Sequence, residues 1–123
     1  MGETDSDAKR RILVCGGRDY HDAEYMSLVL NAAKPAVIIH GAAKGADTLA
    51  GQWARDHGVP VEEYPANWDR DGLQAGPLRN LRMLTESKPD LVIAFPGGKG
   101  TAHMRKVARA HGVQIVNVQW ESP

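Results

Sequence analysis

The sequence predicts an α/β fold: a single Rossmann-like three-layer sandwich around a five-stranded parallel sheet. Three observations lead there. Strand-like and helix-like segments alternate strictly from Arg11 onward, the strand-like runs are apolar on both faces, and glycine-rich turns follow three of them. A chain of 123 residues, 42% hydrophobic and 24% charged, accommodates one soluble domain. That domain is expected over residues 11–120. A polar tail, residues 1–10, precedes it, with Glu3, Asp5 and Asp7 and almost nothing apolar.

The elements follow in order. Ile12 to Cys15 forms the first strand, and Tyr25, Leu28, Val29 and Ala32 then recur at helical spacing. Ala36 to His40 is the second strand. Leu49, Ala50, Trp53 and Ala54 mark the second helix, closed by Gly58 as a left-handed cap. Val59 to Tyr64 is the third strand, and the polar stretch from Asn67 to Gly72 reads as a loop. The third helix carries Leu78, Leu81, Leu84 and Thr85, with Pro77 in its first turn, where no amide hydrogen is needed. Leu91 to Phe95 gives the fourth strand. A fourth helix bears Met104, Val107, Ala108 and His111, Gly112 caps it, and Gln114 to Val118 is the fifth strand.

Composition narrows the function. Fifteen Lys plus Arg balance fifteen Asp plus Glu, so no net field draws the chain to nucleic acid or an anionic membrane. The apolar run from Leu91 to Phe95 is far too short to span a bilayer, and the first ten residues lack the apolar stretch of a signal peptide. A cytoplasmic protein without membrane contact is expected. The single cysteine, Cys15, excludes an internal disulfide and a cysteine-clustered zinc site, and no metal-ligand spacing links the five histidines. Neither a metal nor a cofactor is expected.

In parallel sheets of this kind ligands bind beyond the carboxyl ends of the strands, where strand order reverses. The first strand is expected to lie beside the fourth at that point. It runs into Gly16-Gly17-Arg18-Asp19-Tyr20, the second into His40-Gly41-Ala42-Ala43-Lys44-Gly45-Ala46-Asp47, and the fourth into Pro96-Gly97-Gly98-Lys99-Gly100-Thr101. Glycine lets backbone amides approach a ligand, and a helix amino terminus favours negative charge. Gly16, Gly17, Arg18, Gly41, Lys44, Gly45, Asp47, Gly97, Gly98, Gly100 and Thr101 are therefore the candidate residues for binding a phosphate-bearing ligand. No P-loop motif occurs, and His103 stands where the dinucleotide fingerprint needs its last glycine.

The Pro-Gly-Gly-Lys-Gly-Thr segment, with Arg79-Asn80 before it, resembles the LOG family of nucleotide phosphoribohydrolases in the wider SMF/DprA-LOG (SLOG) superfamily. The first two turns, Ala66-Asn67-Trp68, Ala75-Gly76-Pro77-Leu78-Arg79-Asn80 and Ala94-Phe95-Pro96-Gly97-Gly98 together resemble its YspA-type branch over residues 11–118. The resemblance implies a nucleotide or a nucleotide-derived ligand, phosphoribosyl or ADP-ribose-like, contacted also by Arg79 and Asn80. LOG enzymes carry a catalytic glutamate in this motif. Here its position is Met104, whose side chain faces either the core or the cleft floor and can do no acid-base chemistry. An N-glycoside hydrolase releasing base from a nucleoside monophosphate is the alternative, with Asp19 and Arg79 as its catalytic residues. The LOG likeness also implies a homo-oligomer.

Asp47 equally suits a helix amino terminus, and Asp19 a turn. His40 and His103 are candidates for acid-base groups or for plain polar core residues. Trp68 either stacks on a base or anchors its loop. The second turn also resembles a loop of SMF/DprA proteins, which handle single-stranded DNA, but no basic stripe interleaved with aromatics accompanies it. Nucleic acid is not the expected partner.

Overall fold

The computed structural model describes residues 10–118. Five strands, β1 (Arg11–Cys15), β2 (Val37–His40), β3 (Val61–Glu63), β4 (Leu91–Ala94) and β5 (Gln114–Asn117), form one sheet in the order β3-β2-β1-β4-β5. All four pairings are parallel. The chain steps outward from β1 to β3, then returns to the other side of β1 as β4. Strand order therefore reverses between β1 and β4, as the sequence predicts.

Successive strand residues point to opposite faces, so each central strand feeds two cores. Ile12, Val14, Ile38 and Ile93 face one core with Met26 and Leu30 of α1 (Ala23–Ala33) and Ala50 and Ala54 of α2 (Ala46–Asp56). Leu13, Ile39, Val92 and Ala94 face the other with residues from two further helices. Two more segments precede these: a short helix α3 (Trp68–Asp71) and a 3-10 turn, Gly72–Gln74. The two helices of the second core, α4 (Ala75–Ser87) and α5 (Lys99–Ala110), supply Met83, Leu84, Met104 and Ala108. Helices thus cover both faces of the sheet, giving three layers.

Local chemistry sets the boundaries. The Asp22 side chain accepts the Tyr25 amide at 3.0 Å and starts α1. Gly58 and Gly112 follow α2 and α5 at φ +67° and +72°, the left-handed role expected of them. α3 corrects the loop expected over Asn67 to Gly72. Asn67 caps it by accepting the Arg70 amide at 3.0 Å. The edge strands are also less buried than runs apolar on both faces would be: no residue of β3 or β5 is buried, because each edge is paired on one side only. The expected tail lies outside the described residues except for Arg10, as do residues 119 and 120 of the expected domain. Among the described residues no helix is long and apolar enough to cross a membrane.

Candidate functional site

All three glycine-rich turns meet at the carboxyl edge of the sheet. They meet backbone to backbone. The Gly17 amide donates to the Pro96 carbonyl at 2.8 Å, and the Gly17 carbonyl accepts the Ala46 amide at 3.1 Å and the Tyr20 amide at 3.2 Å. The β1 turn is thereby clasped between the other two. A methyl group on Gly16 would sit 2.6 Å from the Ala46 Cβ, and one on Gly17 would sit 2.9 Å from the Pro96 carbonyl oxygen. One on Gly97 would meet the Gly17 amide nitrogen at 2.6 Å. Gly45, at φ +82°, lies against the Gly17 carbonyl. Much of the glycine at this edge therefore serves loop-to-loop packing.

Gly98 and Gly100 are different. Among the described residues, apart from their chain neighbours and the backbone of their own helix, nothing lies within 4 Å of where their Cβ atoms would be. Gly98 is the N-cap residue of α5 and no side chain caps this end. The first amides of a helix have no intrahelical partner. Those of α5 therefore stand at an open surface with the positive end of a 12-residue helix behind them.

Beside them is a cavity of about 850 Å³, walled by the β1–α1 segment from Gly17 to Glu24 and by Pro96, Gly97 and Gly98. Its volume falls in the range of small-molecule sites. Arg18 and Asp19 are exposed in its wall and form a turn closed by the Tyr20-to-Gly17 bond. The His21 ring bonds to the Asp19 carbonyl at 2.9 Å and braces this turn. The cavity brings together Gly17, Arg18, Asp19, Gly97 and Gly98 of the expected site. Gly16, Gly100 and Thr101 adjoin it in sequence, and Thr101, 5% exposed, lies over Gly97.

Arg79 and Asn80 belong to a second cluster outside that wall. Arg79 donates through Nη1 to the Gly41 carbonyl at 2.6 Å and through Nε to Asn80 Oδ1 at 2.9 Å. Asn80 Nδ2 reaches the Gly100 carbonyl at 3.3 Å and His103 Nδ1 at 3.1 Å, joining α4 to the first turn of α5. Burial lowers the pKa of the guanidinium, and Asp47 opposes that shift. Asp19 and Arg79, the expected catalytic pair, are not gathered in one cavity.

Asp47 is buried, and its Oδ2 accepts the Gly41 amide at 2.9 Å and the Ala43 amide at 3.3 Å. It sits in the first turn of α2, but the N-cap residue is Gly45 and the carboxylate turns back to the loop. Burial pushes its pKa up to about 6, against the pull of those two bonds and of Arg79. His40, 3% exposed, accepts the Ala42 amide on Nδ1 at 2.9 Å. The amides of residues 41, 42 and 43, that of the candidate Gly41 among them, are thus all used internally, so the β2–α2 turn holds itself together. Lys44 is exposed at its tip.

Gly51 makes room for the imidazole. Its Cβ would lie 2.9 Å from His40 Nε2. Replacing a helical glycine by alanine ordinarily gains about 1 kcal/mol, whereas overpacking a rigid buried ring costs about 1–3 kcal/mol. Gly51→Ala is therefore expected to lower the denaturation midpoint, read by circular dichroism in urea; a raised midpoint would show that the ring yields.

Other candidates resolve simply. Met104 is fully buried among Leu13, Ile39, Met83 and Leu84, so it faces the core. Cys15 is buried and its thiol is pushed up to about 12, an inert hydrophobe at neutral pH. Trp53 packs in the core and stacks on His57 with ring centroids 4.2 Å apart. Trp68 is 57% exposed, and a Cβ on Gly76 would lie 3.5 Å from its ring. No group of His, Cys, Asp and Glu suited to a metal occurs among the described residues.

Comparison with known proteins bears on the family. A family model described as "YspA, cpYpsA-related SLOG family" matches residues 10–70, which include the β1 and β2 turns and the start of α3. The chain is also 34% identical over 120 residues to the Gene 61 protein of Mycobacterium phage D29, covering 88% of this chain and 95% of that one. The chain belongs to the YspA-type SLOG family. Membership suggests a nucleotide-related role, and the family match includes the β1–α1 wall of the cavity. Sequence reasoning had not singled out Tyr20, Asp22 or Glu24 as site residues, though all three line the cavity. They follow the Gly-Gly-Arg-Asp motif directly, so proximity in sequence was the available signal.

Proposed function

We propose that the protein binds a phosphorylated, nucleotide-type small molecule at the β1/β4 edge, with the anionic group at the amino terminus of α5 and the remainder in the adjoining cavity. The observation that carries this reading is the uncapped start of α5. It is open at Gly98 and Gly100, beside a cavity of about 850 Å³, at the strand-order reversal. Gly97 and Thr101 shape the turn. Arg18 supplies a mobile cation, and Arg79 with Asn80 steadies the first turn of α5.

Titration of the 15N-labelled protein with inorganic phosphate, AMP and ADP-ribose tests it. The amides of Lys99, Gly100 and Thr101 are expected to shift with all three, and those of Arg18 and Asp19 with the two nucleotides. Shifts confined to other surfaces, or none at millimolar ligand, would remove the assignment. One observation favours the hydrolase alternative: Asp19 is an exposed carboxylate in the same cavity. Free base released from AMP by the wild type, and lost in Asp19→Asn, would decide for it.

A further inference from the structure

Two titratable side chains fasten three consecutive amides of the β2–α2 loop. Asp47 Oδ2 takes those of Gly41 and Ala43, and His40 Nδ1 takes that of Ala42 at 2.9 Å. A backbone N–H can only donate, so Nδ1 must present its lone pair, and the neutral ring carries its proton on Nε2. Nε2 is enclosed beside Gly51 and has no hydrogen-bond partner among the described residues. Its nearest carboxylate oxygen, Glu63 Oε2, is 3.7 Å away. An imidazolium has a hydrogen on both nitrogens. A proton at Nδ1 would therefore confront the Ala42 N–H donor to donor.

We propose that His40 is a positioning residue of this edge: its neutral ring fastens the β2–α2 loop, and protonation at Nδ1 releases the loop together with the Gly41 carbonyl that holds Arg79. The consequence reaches the start of α5, because Arg79 is tied through Asn80 to the Gly100 carbonyl. Loop and helix start are thus linked by a chain of hydrogen bonds whose loop end is fastened by His40 and Asp47.

The groups around the ring set the pH at which this occurs. Burial opposes the imidazolium most strongly; Arg55 from α2 and Arg79 from α4 oppose it too, while Glu63 from β3 favours it. Release therefore falls on the acid side of the ordinary imidazole range. Asp47, faced by Arg79 and Cys15, also takes up a proton as pH falls through about 6. The two act oppositely on global stability. His40 has a lowered folded pKa, so the unfolded chain binds more protons and stability falls as pH drops below the ordinary imidazole value. Asp47 has a raised one, so the folded chain binds more protons and stability rises as pH falls from about 6 towards its ordinary carboxylate value. Global melting mixes these effects, whereas amide protection in the loop separates them.

The test follows hydrogen-exchange protection factors of Gly41, Ala42 and Ala43 from pH 7.5 downward, with the Leu13 amide as a core control. Once His40 titrates, Ala42 protection is expected to fall by about tenfold per pH unit while Leu13 stays protected. His40→Asn places Oδ1 at the same bond distance from the backbone as Nδ1, an acceptor that does not titrate. It is expected to keep Ala42 protected through the same range. If wild-type Ala42 protection holds while the His40 ring titrates, or His40→Asn loses protection as the wild type does, the proposal fails. Should His40→Asn not fold, the ring 15N shifts of the wild type still decide: protonated Nε2 and bare Nδ1 at neutral pH support it, and the reverse tautomer overturns it.

Discussion

Met104→Glu is expected to unfold the protein at neutral pH or bring it to the edge of unfolding. In LOG enzymes this motif position carries the catalytic glutamate, so the substitution puts that carboxylate back in the motif. The fold does not accommodate it. Met104 is 0% exposed, on the face of α5 that packs against β1, β4 and α4, with Leu13, Val92, Ala94 and Met83 around it. Arg79, a potential counter-ion, is committed to Gly41 and Asn80. An unpaired buried carboxylate costs about 3–5 kcal/mol, a large part of the roughly 5–15 kcal/mol that holds a domain together. The glutamate would escape part of this by staying protonated, with a folded pKa above its unfolded value. Stability of the variant should therefore rise as pH falls from that raised pKa towards about 4.3, the reverse of an ordinary paired carboxylate. Met104→Leu, which conserves volume, is expected to cost less than about 1.5 kcal/mol. Urea denaturation of the three proteins at several pH values measures this. Wild-type stability in Met104→Glu at neutral pH would place the side chain at the cleft.

The alternation of strands and helices was legible because the central strands are short continuous apolar runs, as Ile12 to Cys15 is, while a long helix returns an apolar residue every three or four positions, as Ala50, Trp53 and Ala54 do. α3 was not. Its four residues are too few to show a helical period, and its cap, Asn67, is as common in turns as at helix starts. The position of the site was also legible, since Gly-rich turns after β1, β2 and β4 fall on one edge in a parallel sheet. The work each residue does there was not. Asp47 has the sequence position of a capping residue, yet its carboxylate turns back to Gly41 and Ala43, a direction set by the path of the whole β2–α2 loop. His40 gives no sign in sequence of the Ala42 amide it holds. Glycine is the hardest case, because a residue without a side chain reveals its purpose only through what surrounds it.

That distinction yields the other large expected effect, a contrast between adjacent glycines. Gly97→Ala is expected to destabilise the fold strongly, and Gly98→Ala to spare the fold and weaken ligand binding. A methyl group on Gly97 would meet the Thr101 hydroxyl, the Gly17 nitrogen at 2.6 Å and the Gly16 carbonyl carbon at 2.9 Å. Two of these neighbours are backbone in the clasped β1 turn, which the Gly17-to-Pro96 bond fixes in place. Relief requires the turns to separate, at about 1–3 kcal/mol or more. At Gly98 the methyl meets nothing within 4 Å among the described residues beyond its chain neighbours, and φ is −102°. Alanine is a poorer N-cap residue than glycine, so a cost of up to about 1 kcal/mol is expected. The same methyl would project where the amides of α5 open to solvent, displacing a phosphate that lies against them. Thermal melts and AMP titrations of both variants separate the two roles. Wild-type affinity in a well-folded Gly98→Ala would mean that the ligand does not use the start of α5. A fully stable Gly97→Ala would mean that the three turns are less tightly joined than their hydrogen bonds require.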